Sequence, residues 1–526
     1  METWFIIIVS LCISSLLKSI LNILFYNYKS SINNSLKKKL PPGPSRILLI
    51  CNLLWQIRHG KPITDLGSIL RRLKLRYGPL ITLKSGRIPL IFVSGHSLSL
   101  DALVKKGSLF CDRPPPPINE RTIFNTTGRI ITSAPYGPTW RSLRRNLTVE
   151  ILHPTRVRTY SDARSRVVTL LIRRLLNREK EVLKVIDHFN YAMYSLSSLM
   201  CFGHDLNDNQ IEKVEAVQRR SFSGFSPFSP LVFWPRLGKI LFRGRWKALM
   251  QLRKDQEDVF VPLIKTNRER INVNNNDEIK VVSYVETLLN LQIREGNNIS
   301  KLDEGEIVNL CSEFLNAGTD TSSTALQWIM ANLVKYPHIQ TKLYEEIFQI
   351  LGQTPPLTSS STLLETVNEN ELQKMTYLKA IILEGLRRHP PSHFLLPHKV
   401  TRDVELEGYV IPKNARVLFM VNEIGWDPEV WEDPMEFKPE RFLGIKDFDV
   451  TGKREIKMMP FGAGRRMCPA YEMALFQLEY FVANLIWYFE WRAIEGDSID
   501  LSEKLDFTTV MKNPLLARIS LRRTST

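Results

Sequence analysis

The sequence predicts a predominantly α fold with a smaller β portion, preceded by an N-terminal transmembrane anchor. Three observations carry that prediction. Helical spacing of apolar residues dominates the 526-residue chain, most clearly over residues 304–336 and 471–489. Strand-like runs are short and confined to 80–83, 88–93, 400–420 and 507–520. Residues 4–28 form an apolar run interrupted by Lys18 and Asn22, and about 20 apolar residues suffice to cross a bilayer.

Composition is that of a globular protein, 44% hydrophobic and 24% charged, with ample material for a core. The net charge of +17 admits an anionic membrane surface, an acidic protein partner or nucleic acid. No zinc spacing, nucleic-acid signature or basic tail accompanies it, which ranks nucleic acid last. The six cysteines, at positions 12, 51, 111, 201, 311 and 468, show neither disulfide nor zinc spacing and suit a reducing compartment.

Lys29 and the lysines at 37–39 follow the apolar run. Positive residues stay on the cytoplasmic side, so the rest of the chain is expected in the cytosol. A cleaved signal would need a basic stretch before the apolar run and a clear small-residue cleavage site, and the chain lacks both. Pro41-Pro42-Gly43-Pro44 cannot continue a helix and reads as a stiff spacer. Residues 1–36 are thus the anchor, 37–44 a basic, proline-rich hinge and 45–526 the main domain.

Residues 63–77 predict an amphipathic helix, and the runs flanking Ser85-Gly86-Arg87 a hairpin. Residues 110–131 are a long irregular stretch, of a kind usually functional or disordered. Trp140 and Arg144 stand four apart on a helical pattern and share a face. Residues 222–235 carry five aromatics, in a connector suited to core, substrate access or membrane contact.

The helix over 304–336 contains Ala317-Gly318-Thr319-Asp320-Thr321-Ser322, where glycine and hydroxyl residues are poor helix formers; such local misfit often marks function. Hydroxyls there also bond back to the preceding turn. Glu384 and Arg387 share a face of the helix over 375–388, and Arg441 follows downstream in Pro439-Glu440-Arg441-Phe442. Prolines then force an extended path past His393, Leu395 and His398.

Residues 460–470 read Pro-Phe-Gly-Ala-Gly-Arg-Arg-Met-Cys-Pro-Ala, with an apolar helix directly behind. Gly462 and Gly464 permit a tight turn that brings backbone amides to sulfur, and metal coordination with a following helix N-terminus favours the Cys468 thiolate. The loop reads as one that presents a single thiolate to a metal.

Phe461, Gly464, Arg466 and Cys468 resemble the Phe-x-x-Gly-x-Arg-x-Cys-x-Gly signature of the cytochromes P450, the haem-thiolate monooxygenases, with Ala470 in the place of the last glycine. The 317–322 hexapeptide, Glu384-x-x-Arg387 and Trp140-x-x-x-Arg144 resemble that family's other signatures in order, and the detailed wording is closest to plant microsomal members. The resemblance implies a cytochrome P450 fold in one large unit, with haem b bound by Cys468. It implies that Trp140, Arg144, His398 and Arg466 meet haem propionates and that Phe461 lies against the ligand. Thr321 is expected to hydrogen-bond bound dioxygen, Asp320 to relay protons, and Gly318 to let the helix kink or widen. Glu384, Arg387 and Arg441 are implied as a buried structural network, and Ala317, His393, Leu395, Val510 and Met511 as substrate contacts, the last two at the tip of a C-terminal turn.

The implied activity is insertion of one oxygen atom of O2 into a small apolar substrate. Its electrons come from NADPH through a flavoprotein reductase at the endoplasmic reticulum membrane. Arg141, Arg145, Lys453, Arg454, Lys457 and Arg465 flank the haem motifs as a basic face for that reductase. Two alternatives stay open: a haem-thiolate isomerase or dehydratase that needs no external electrons, and a non-catalytic membrane-bound partner.

Overall fold

The computed structural model describes residues 40–44, 66–84, 88–115, 129–179, 181–224, 243–273, 282–295, 298–355, 364–445, 448–496 and 498–522. The anchor expected over 4–28 lies outside these, as do residues 225–235 of the aromatic connector. No helix among the described residues is long and apolar enough to cross a membrane.

The architecture is built around the helix Glu304–Lys335, 32 residues and so about 48 Å long. Its start is fixed by a capping box: the Glu306 amide donates to Asp303 Oδ1 at 2.7 Å, and the Asp303 amide to Glu306 Oε2 at 3.0 Å. From Ser322 to Val334 every residue is buried, so this segment is enclosed on all faces. Val185–Phe202, Thr376–Arg388 and Tyr471–Tyr488 pack around it, and Phe189, Leu326, Trp328, Ile381 and Trp487 belong to one continuous apolar cluster. Pro337 ends the helix as expected and also begins the next one, Pro337–Leu351, where its missing N–H has no cost.

The β portion is small, as its short runs require. Leu80–Leu83, Leu90–Val93, Arg416–Phe419 and His398–Lys399 form one sheet in that spatial order. The first pair is antiparallel, with Leu80 opposite Val93, and the central pair parallel, with Leu90 opposite Arg416. The 400–420 run resolves into Arg416–Phe419 and a separate hairpin, Val404–Leu406 with Tyr409–Ile411. Near the C-terminus Glu503–Leu505 pairs with Thr509–Met511, and Leu516–Leu521 pairs with Phe489–Arg492.

The register of the C-terminal hairpin corrects one expectation. Val510 and Met511 do not tip the turn: they lie in its second strand, opposite Lys504 and Glu503, and Met511 is buried in the main core. The tip is formed by Asp506, Phe507 and Thr508, where the Asp506 amide donates to the Thr508 carbonyl at 3.0 Å.

The proline-rich hinge is extended but not free. Pro41 and Pro44 are buried, and the Thr82 amide donates to the Pro42 carbonyl at 2.8 Å, docking the segment on the sheet edge. A Cβ on Gly43 would fall 1.9 Å from the Thr82 carbonyl oxygen, so only glycine fits there. Gly43→Ala is therefore expected to lower the stability of the domain by about 1–3 kcal/mol, the usual range for overpacking. Chemical denaturation measures this, and an unchanged midpoint would show that the segment does not pack on the domain.

Candidate functional site

The cysteine loop is held by its own backbone. The Cys468 amide donates to the Phe461 carbonyl at 2.8 Å, the Met467 amide to Gly464 at 3.1 Å and the Gly462 amide to Met459 at 3.0 Å. Gly464 has φ of +70°, and a Cβ there would lie 2.0 Å from the Leu103 carbonyl oxygen. Both reasons demand glycine. Ala470, by contrast, has φ of −101° and packs partly buried against the core, so the methyl that departs from the signature brings no backbone strain. The helix starts at Tyr471, with Pro469 just ahead of it rather than in its first turn. Burial pushes the Cys468 thiol up, offset by a hydrogen bond from the Ala470 amide and by the Arg144 guanidinium. A bound metal cation would draw it to the thiolate.

Four cationic or donor side chains converge on this loop. Trp140 is buried and donates Nε1–H to the Ile131 carbonyl at 3.1 Å, while Arg144 donates from Nη2 to the Met467 carbonyl at 2.6 Å. Arg466 stacks over Trp140 at 4.3 Å and donates to the carbonyls of Cys111, Ile131 and Ala134. Arg113 was not legible in the sequence. It is 7% exposed and donates to the carbonyls of Thr132, Leu396 and Pro397. Burial, then repulsion from Arg466, lowers Arg113 to about 9, and burial lowers Arg466 to about 10. None of Arg113, Arg144 and Arg466 has a carboxylate within ion-pair distance among the described residues.

His398 is buried beside them, with Nδ1 2.6 Å from the Phe110 carbonyl. A carbonyl only accepts, so Nδ1 carries the proton. Burial, followed by Arg113, pushes the ring down to about 3, which leaves it neutral with Nε2 an acceptor. In that state Nε2 is the ring's acceptor, and the Arg113 guanidinium nearby carries the donors.

The central helix carries its signature without a break in helical structure at Gly318. The Thr321 hydroxyl donates to the Ala317 carbonyl at 2.6 Å, the back-bonding open to any helical threonine. Its oxygen lone pairs stay available as acceptors, and Ala317 is exposed on the same face. Burial raises the Asp320 carboxyl, against a hydrogen bond that Thr508 donates to Oδ2 at 2.7 Å. Thr508, on the C-terminal hairpin, also lies 3.3 Å from Thr324 Oγ1. Nothing local in the sequence marks it.

Among the other expected substrate contacts, Leu395 lies against Gly462 of the cysteine loop and hydrogen-bonds Phe419 through its amide at 3.0 Å. His393 is turned to a different task. Its Nε2 lies 3.1 Å from Glu503 Oε2, and its ring meets Trp426 edge to face. Glu503 also receives His389 Nδ1 at 3.0 Å, and His389 stacks on Trp328 at 4.0 Å. Burial holds His389 at about 4; Glu503 is drawn down to about 2 by the two histidines, against its own burial.

Glu384, Arg387 and Arg441 come together as one network. Arg387 grips Glu384 with two bonds, 2.7 and 2.8 Å, both side chains being fully buried. Arg441 Nε adds a third at 3.2 Å and the Lys438 amide a fourth at 2.8 Å. The remaining Arg387 donors reach the carbonyls of Gly425, Pro434 and Glu436. This satisfaction of every donor is what a buried ion pair requires.

A family model described as Cytochrome P450 matches residues 41–520. The chain belongs to the cytochrome P450 family. It is 44% identical to cytochrome P450 89A9 of Arabidopsis thaliana, over 98% of this chain and 99% of the relative. Costunolide synthase of Tanacetum parthenium is 28% identical over 94% of this chain and 95% of its own, and the sarpagan bridge enzyme of Gelsemium sempervirens 29% over 91% and 92%. A zebra fish cytochrome P450 solved with abiraterone shares the fold, with a TM-score of 0.68 and 22% identity, covering 86% of this chain and 99% of that one.

Haem b is the cofactor of a P450. The residues of this P450 fit it. A single cysteine is presented on a rigid loop, and guanidiniums, one buried and two half-buried, that hydrogen-bond only carbonyls match a group that carries two carboxylates.

Removing one partner of a buried ion pair costs about 3–5 kcal/mol, because the other charge is stranded. Glu384→Ala is expected to yield protein largely free of haem. The haem-to-protein ratio measures this, and a normal ratio would show the network to be dispensable.

Proposed function

We propose that this P450 is a single-pass protein of the endoplasmic reticulum membrane with a cytosolic catalytic domain. There it inserts one oxygen atom of O2 into a small apolar organic substrate, with NADPH-derived electrons from a flavoprotein reductase. Family membership supports the haem monooxygenase class. The observation that carries the reading is the intact pair of Asp320 and Thr321 beside the exposed Ala317 on the central helix, in a chain whose Cys468 loop keeps Phe461, Gly464 and Arg466.

Haem, when bound, supplies oxygen binding and the redox chemistry. Cys468 would hold its iron, and the Ala470 amide hydrogen-bonds the sulfur and moderates its charge. Arg113, Arg144 and Arg466 would be the donors for its propionates, with Trp140 packed beneath Arg466. Asp320, raised by burial, is suited to carry a proton into the pocket, with Thr508 holding Oδ2 and leaving Oδ1 to exchange. Thr321, its hydrogen already given to Ala317, offers lone pairs that orient a proton-donating group.

The apolar run over 4–28 with lysines behind it supports the membrane anchor and its orientation. Relatives named as costunolide synthase and sarpagan bridge enzyme support a small organic substrate. The basic face supports an acidic reductase. Arg141 and Arg145 are exposed on the helix that bears Trp140, and Arg465 lies over the Tyr136 ring at 5.5 Å. Arg454 and Lys457 are partly occupied by Asp449 and Glu455.

Reconstituting the full chain with an NADPH-dependent flavoprotein reductase tests this reading. Substrate conversion is expected to need NADPH and O2, and coupling to weaken as salt is raised to about 0.5 M, where screening is strong. Conversion without NADPH would favour an isomerase or dehydratase instead. Coupling indifferent to salt would remove the basic face from the docking surface.

A further inference from the structure

The central helix reaches the cluster of cations by a route outside its signature. Glu306 and Glu313 lie about two turns apart, on the stripe that continues through Ala317 and Asp320. Glu306 Oε2 is 3.4 Å from Arg129 Nη1. Glu313 receives two consecutive backbone amides, Ile131 at Oε2 at 2.9 Å and Thr132 at Oε1 at 2.6 Å. One carboxylate bridging two neighbouring amides fixes both the position and the tilt of the peptide between them.

The carbonyls of those same residues serve the haem-facing donors. Ile131 accepts from Trp140 Nε1 at 3.1 Å and from Arg466 Nη1 at 3.3 Å, and Thr132 accepts from Arg113 Nε at 2.9 Å. Ala134, whose amide closes the turn on the Ile130 carbonyl at 2.9 Å, accepts from Arg466 Nη2 at 2.7 Å. Glu313 is therefore separated by a single peptide unit from Trp140 and Arg466, and by the one residue Thr132 from Arg113.

We propose that Glu313 is a positioning residue for the haem-binding cations, acting through the turn 130–134; the inference rests on the reading that this site holds haem. Glu313 touches none of those cations. It holds the turn against the central helix, and the turn holds the guanidiniums at the angle from which they face the propionates. The helix that supplies Asp320 and Thr321 thereby also sets the propionate side of the same site.

The test uses haem-loaded, full-length protein with Glu313→Ala and Glu313→Gln. Transfer of haem to excess apomyoglobin gives the release rate, the resonance Raman propionate-bending bands report the donors, and hydrogen exchange reports the Ile131 and Thr132 amides. Glu313→Ala is expected to release haem about tenfold faster, as loss of a charge-assisted hydrogen-bond pair implies, with shifted propionate bands and faster amide exchange. Glu313→Gln keeps one acceptor oxygen and is expected to fall between the two, so it decides alone if the alanine variant does not fold. Release within about twofold of wild type and unmoved propionate bands, while the two amides exchange faster, would overturn the proposal. A wild-type protein that takes up no haem would instead overturn the reading of the site, and the inference with it.

Discussion

One buried and two half-buried guanidiniums, with no carboxylate at ion-pair distance among the described residues, are the constraint on which the rest of this structure turns. Arg113, Arg144 and Arg466 surround the cysteine loop, and each directs its donors at backbone carbonyls. Carbonyl dipoles satisfy the hydrogen bonds, but Asp112 offsets only part of the charge of Arg113 and Arg466, and a low-dielectric setting makes the remainder expensive. The lowered pKa values of Arg113 and Arg466 express the same strain. A dianionic cofactor relieves it, and for that reason loop, helix and turn are all arranged to keep these cations where they are.

Two buried carboxylates illustrate opposite solutions nearby. Glu384 is fully paired, bidentate to Arg387 and bonded to Arg441, and serves as a fixed joint between the helix Thr376–Arg388 and the segment leading to the cysteine loop. Among the described residues the Asp320 carboxyl has only the Thr508 hydroxyl as a hydrogen-bond partner, and burial raises it. The first arrangement suits rigidity, the second proton exchange. The C-terminal hairpin contributes to both ends of the site. Thr508 meets Asp320, and Glu503 anchors the other strand to His389 and His393.

Much of the site was legible because its requirements are local. Gly464 is dictated by its own φ and by the Leu103 backbone beside it, so the spacing to Cys468 is written in consecutive residues. Glu384 and Arg387 meet by helical periodicity alone. What could not be read depends on contacts far apart in sequence. Arg113 reaches Leu396 across 283 residues and Thr508 reaches Asp320 across 188. Val510 and Met511 were misplaced by a few residues because hairpin register, not composition, fixes which residues tip the turn. The tautomer of His398 could not be read either, since it is decided by the Phe110 carbonyl, far away in sequence. In the fold, the helices and the hairpin over 80–93 followed from periodicity, whereas docking of Pro41–Pro44 on the sheet edge did not.

The central claim is that Cys468 ligates haem iron as a thiolate. The most direct measurement is the absorption difference spectrum of the reduced protein with and without carbon monoxide. The account predicts the far red-shifted Soret band that thiolate ligation gives, and its loss in Cys468→Ala. Folded protein without haem, or a band at the position that histidine ligation gives, would contradict it.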